Sequence, residues 1–153
     1  MSAKITIEVA NNYIGINKEV PNINYGGCGI FAEHLYYILI KLGVNCKIGV
    51  ICNSDSKYGF ECAVKNKDYD NMYGLRHIVI IVGNKMLDSN GVHTSLNDFT
   101  YIGVCISYAM KIEHLCEAND MDVWNPTFNR RHIKTIENKL NIVYKKTQEN
   151  LVV

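Results

Sequence analysis

Three residues of this chain have side chains suited to covalent chemistry and spacings that let them meet: Cys28, His77 and Asp88. Cys28 stands in "NYGGCGIFAEHLYYILIKLG", flanked by Gly26, Gly27 and Gly29 and followed at once by a long apolar segment. A cysteine at the N-terminus of a helix has its thiolate stabilised by unpaired backbone N–H groups and by the helix dipole, which lowers its pKa and makes it a nucleophile. The glycines let a substrate backbone come close and leave N–H groups, that of Gly27 among them, accessible to an oxyanion. Taken alone, a cysteine in an apolar context is more often an inert core thiol.

A nucleophilic thiol also needs a base and a group to orient that base. "RHIVIIVGNKMLDSNG" supplies both in one stretch. Two β-prone runs flank Gly83 and Asn84, which have the chemistry of a two-residue hairpin turn. With that turn, Val82 faces Lys85, Ile81 faces Met86, Ile80 faces Leu87 and Val79 faces Asp88. His77 and Asp88 then share a sheet face as diagonal neighbours. Separately, His77 simply opens a strand and Asp88 simply begins a turn; together with Cys28 they form a base, its orienter and a nucleophile. His93, just after "DSNG", is the rival for the base, whereas His34 lies partway along the helix and reads as structural.

The surrounding elements must hold these three residues in place. "KITIEV" near the N-terminus alternates like a short strand, and residues 10–27 read as a loop leading to the cysteine. From Gly29 to Leu42, Phe31, Leu35, Ile38, Leu39 and Leu42 recur at helical spacing, with Gly43 placed for an αL cap. Ile30 and Ile40 fall off this stripe, so the helix is expected to be buried on most sides. "VNCKIGVICN" reads as a strand, the polar stretch from there to Gly74 as irregular, and "FTYIGVCI" as a further strand. Helices are expected around Ser107 to Ala118 and again after Asn125 and Pro126, where Ile133, Ile136, Leu140 and Val143 mark a core stripe.

At 153 residues, 48% hydrophobic and 20% charged, the chain reads as a single soluble domain spanning 1–153. Its formal net charge of +1 gives no electrostatic basis for a nucleic-acid partner. The N-terminus lacks the pattern of a secretory signal, and the longest apolar runs are far short of a membrane span, so a cytoplasmic, non-membrane protein is expected. In that setting the six cysteines read as thiols. No metal or other cofactor is expected, because Cys46, Cys52 and Cys62 are widely spread and the His114/Cys116 pair lacks a second pair.

The segment "GGCGIFAEHLYYILIKLGVNCKIGV" resembles the nucleophile helix and following strand of transglutaminase-like cysteine enzymes in the papain-like superfamily, and "HIVIIVGNKMLD" resembles the histidine and aspartate strands of that family. The likeness covers residues 26–91. It implies an α+β fold with the nucleophile helix packed on a small, mostly antiparallel sheet and C-terminal helices completing the core. It also implies Cys28 as nucleophile, His77 as general base and acid, and Asp88 as orienter. Where papain-like peptidases use an upstream glutamine for the oxyanion, this chain has Asn22 and Asn24 as candidates, beside Gly27. The expected function is thiol-dependent acyl chemistry on a protein, peptide or small acyl substrate, by hydrolysis or by acyl transfer. The alternative is a catalytically inactive protein of the same fold that sequesters a protein or small molecule in the same cleft.

Overall fold

The computed structural model describes residues 27–121 together with 138, 141, 142, 144 and 145. The expected first strand "KITIEV", the loop up to Gly26, Asn22 and Asn24, and the stripe Ile133, Ile136, Leu140 and Val143 lie outside the described residues. Helix α1 spans Cys28–Lys41 and buries Ile30, Phe31, Ala32, Leu35, Ile38 and Leu39. Its end is a Schellman cap: Val44 N–H donates to the Leu39 carbonyl at 2.9 Å and Gly43 N–H to that of Ile40 at 3.0 Å, with Gly43 at φ +77°. Ile30 is buried with the stripe as expected, whereas Ile40 is 45% exposed and lies on the helix's solvent face.

Among the described residues a five-stranded sheet, in the order β4-β3-β2-β1-β5, receives this helix. Strand β1 is Lys47–Asn53, β2 Leu75–Val82, β3 Lys85–Asp88, β4 Gly91–His93 and β5 Val104–Ser107, and every neighbouring pair is antiparallel. The fold is therefore α+β. The stretch after β1 is not irregular: after a short 3₁₀ turn it forms helix α2, Lys57–Lys65. The expected strand from Phe99 shrinks to β5, because Phe99 and Tyr101 pack instead over the sheet. The helix after β5 begins later than Ser107, as α3, Ile112–Asp120. Farther along, Asn138, Asn141, Ile142, Tyr144 and Lys145 are helical, and Tyr144 packs against the main core.

The alternation of β2 and β3 gives the sheet two apolar faces. Ile78, Ile80 and Leu87 join Ile48, Val50 and the buried side of α1 in the larger core. Val79, Ile81 and Met86 face the other way, with Ile51, beneath Leu96, Phe99 and Tyr101. Helix α3 ties back to the start of α1: the buried amide of Asn119 donates Nδ2–H to the Gly29 carbonyl at 3.2 Å. At the end of the sheet nearest His77, Asn53 N–H donates to the Gly74 carbonyl at 2.8 Å and Ser54 N–H to that of Gly103 at 3.0 Å.

Gly74 and Gly83 both have positive φ, +88° and +60°, but their surroundings differ. A Cβ at Gly74 would lie 2.5 Å from Ser56 Cβ, whereas one at Gly83 would meet nothing within 4 Å. Gly83→Ala therefore adds only backbone strain, about 1 kcal/mol, while Gly74→Ala adds strain and overpacking, about 2–4 kcal/mol together. Denaturant unfolding should rank the two in that order, and equal losses would show that the contact with Ser56 yields freely.

Candidate functional site

Cys28 is the first residue of α1, with Gly27 as N-cap accepting Phe31 N–H at 3.0 Å. Strand β2 runs past the end of β3, and the N–H groups of Ile78 there and of Gly29 both stabilise the Cys28 thiolate. Cys28 is buried, at 8% exposure. Burial alone would raise its pKa, but hydrogen bonding with His77, the charge of that ring and the two backbone amides outweigh it, so the thiol is held below its ordinary value.

The hairpin register is the one that Gly83 and Asn84 predict: Val82 pairs with Lys85, Ile81 with Met86 and Ile80 with Leu87. His77 and Asp88 are consequently diagonal neighbours on one face, and His77 Nε2 donates to Asp88 Oδ2 at 2.9 Å. Both side chains are almost fully enclosed. The carboxylate accepts two further hydrogen bonds at Oδ1, from Asn90 N–H and from His93 Nε2, each at 2.8 Å. Burial favours the neutral acid, but the hydrogen bonds from His77 and His93 prevail and keep Asp88 well below the usual carboxylate range. With Asp88 ionised, His77 carries its neutral-state proton on Nε2 and presents a bare Nδ1 lone pair.

Among the described residues that Nδ1 has no partner of regular hydrogen-bond geometry, yet the ring and the thiol are near enough to shift each other's pKa. Burial opposes charging the ring; Asp88, and then Cys28, overcome it and push His77 up to about 9. Proton transfer from the Cys28 thiol to this ring would give a thiolate–imidazolium pair braced by the Asp88 carboxylate. The other shifted thiols move the opposite way. Burial pushes Cys46 to about 11; burial and the Cys105 sulfur 3.8 Å away push Cys52 to about 12; burial and Glu33 push Cys116 to about 11.

The structure brings Cys28, His77 and Asp88 together, with Gly27 beside them. His93, the rival to His77 for the base, is instead a second partner of the same carboxylate. A signal for this was present. Ser89 and Asn90 form a second two-residue turn, Asp88 pairs with Gly91 and Met86 with His93, so His93 is diagonal to Asp88 from the other side. Phe99, also missed, lies against both rings, with centroids 5.7 Å from His77 and 4.6 Å from His93. No group of three His, Cys, Asp or Glu side chains among the described residues is arranged to hold a metal ion. Here the two Nε2 atoms are turned onto the carboxylate itself rather than toward a common empty point. Among the described residues, no helix is long and apolar enough to cross a membrane.

Comparison of the chain with protein-family models, curated proteins and solved structures found no match.

Two expectations follow from the shifted pKa values. Limiting iodoacetamide near neutral pH should alkylate Cys28 before Cys46, Cys52 and Cys116, as peptide mapping would show; prior labelling of any of those three contradicts the assignment. The second concerns stability. His77, raised from 6.5 to about 9, contributes stability that is complete below pH 6.5 and is lost as the pH rises through about 9. Cys28, lowered from 9.0, contributes stability that is complete above pH 9.0 and is lost as the pH falls. Between pH 6.5 and 9 the two trends offset each other. In Cys28→Ser only the His77 trend remains, so the stability gap between wild type and variant should widen with rising pH across that window. Denaturation at several pH values would measure it, and a constant gap would exclude the ion pair.

Proposed function

We propose that the protein is a cysteine enzyme of acyl chemistry with a papain-like or transglutaminase-like core. The observation that carries this reading is the position of His77, fixed through Nε2 by a buried carboxylate while its other side acts on the one thiol whose pKa falls. An inert core cysteine has no need of such a neighbour. Two hydrogen-bonded ionisable groups are costly to bury unless their pairing is used or well satisfied.

In the proposed reaction, Cys28 Sγ attacks the carbonyl carbon of an amide, isopeptide, ester or thioester, and the π electrons move onto the carbonyl oxygen. Collapse of the tetrahedral species expels the leaving group, which takes the proton held on His77 Nδ1. A thioester to Cys28 remains. Water or an amine then attacks it while His77 Nδ1 accepts the incoming proton, and Sγ leaves as the thiolate. Asp88 stays ionised throughout, holding the ring and stabilising its charged form. The substrates in view are protein, peptide or small acyl compounds, with Asn22, Asn24 and the amides near Gly27 as candidates to bind the oxyanion.

Intact mass spectrometry after exposure to a panel of activated acyl donors tests the proposal. A single acyl adduct that maps to Cys28 and is absent from Cys28→Ala is expected. No adduct from any donor, with Cys28 still alkylatable, would favour the binding protein of the same fold. Once a turned-over donor is found, Asp88→Asn should lower kcat by up to about 10⁴-fold with the fold retained, since the amide fills the same volume but cannot fix the Nε2–H tautomer. A loss of less than about threefold would reduce Asp88 to a turn residue.

A further inference from the structure

The mechanism just described uses one of the two imidazoles bonded to Asp88. The other is held with equal care. His93 ends strand β4, its side chain is 15% exposed, and its Nε2 reaches Asp88 Oδ1 at 2.8 Å. Phe99, against which its ring lies, is carried by the 3₁₀ turn Leu96–Asp98, whose N-cap Ser95 and Asp98 form a capping box. The charged or titratable groups facing His93 are Asp88 from β3, His77 from β2 and Asp98 from that turn.

We propose that His93 is a positioning residue that fixes Asp88 on His77 and, on gaining a proton, draws the carboxylate's charge away from His77 and turns the Cys28 nucleophile down. This inference rests on the thiol reading above. One carboxylate supplies one negative charge. Neutral His93 donates Nε2–H to Oδ1 and leaves that charge to stabilise the His77 imidazolium. When His93 takes a proton from solvent at Nδ1, two imidazolium ions share a single carboxylate, so the second positive charge weighs against the first. The ion pair then discharges: the Nδ1 proton of His77 returns to Cys28 Sγ, leaving a neutral thiol and a neutral imidazole. No bond to carbon changes, and the only net event is uptake of one proton by His93. The contact with Asp88 raises the pKa of His93 from its ordinary value, so the step comes at a higher pH than it would for a free imidazole.

The test is the rate of Cys28 carbamidomethylation against pH in wild type, His93→Gln, His93→Ala and His77→Ala. The glutamine amide can keep a hydrogen bond to Oδ1 but takes no proton. His93→Gln should therefore retain reactivity at neutral pH and carry its acid limb about one pH unit lower, the size of shift a nearby like charge commonly produces. His93→Ala should lose reactivity at every pH, because Asp88 loses a contact that fixes it. A His93→Gln profile superimposable on wild type would overturn the proposal, as a purely structural contact leaves the acid limb where it was. If His77→Ala alters the profile while His93→Gln does not, only the role of His93 fails. If His77→Ala also changes nothing, the thiol–imidazole pair fails and His93 with it. Where the glutamine variant does not fold, NMR titration of the wild-type His77 ring decides: its signals should move in two steps, one at the pKa of His93, and a single step would overturn the coupling.

Discussion

A buried carboxylate cannot be left unpaired, and in this protein that constraint falls on Asp88. The residue closes a four-residue strand flanked by two tight turns, and each turn delivers a histidine to the carboxylate from a different neighbouring strand. The turn at Gly83 and Asn84 sets β2 so that His77 is diagonal to Asp88; the turn at Ser89 and Asn90 sets β4 so that His93 is diagonal from the other side. Asn90 N–H completes the set of donors. A one-residue slip in either hairpin would turn Asp88 or its partner to the opposite face and leave a charge buried alone. The register of the sheet edge and the ionisation of the site therefore depend on one another.

The remaining elements serve that edge. Helix α1 must present its first residue where β2 outruns β3, and this position is fixed from both ends. At its C-terminus the Schellman cap turns the chain into β1, and at its N-terminus the Asn119 amide of α3 grips the Gly29 carbonyl. The apolar stripe of α1 supplies the energy of packing, but it is these two polar contacts that set where along the sheet the thiol falls. Lowering the Cys28 pKa in a buried setting requires favourable interactions larger than the desolvation cost. The helix N-terminus, two backbone amides and a charged His77 ring together provide them.

How much of this was legible in the sequence follows from the range of the forces involved. The Gly83-Asn84 register and the Gly43 cap were readable because both are local: a short turn with a residue suited to positive φ dictates its flanks. Helix α2 was not, since its nine residues include Gly59 and only Phe60, Ala63 and Val64 are buried, too short a stripe to declare itself before it packs against the sheet. Phe99 and Tyr101 read as strand because aromatic residues favour strands, but tertiary packing drew them over the second face instead. His93 reads as a rival base rather than a second partner of Asp88, although a two-residue turn at Ser89 and Asn90 within "DSNG" places it beside the carboxylate.

Whether Cys28 and His77 exist as an ion pair is the claim on which the account rests, and the ultraviolet absorbance of the thiolate measures it directly. A pH titration of wild type minus Cys28→Ser isolates the signal of that one sulfur. An ion pair predicts a thiolate signal already present well below the ordinary thiol value of 9.0 and lost only on acidification. A difference signal absent at neutral pH and rising only as the pH approaches the ordinary thiol value of 9.0 would contradict it.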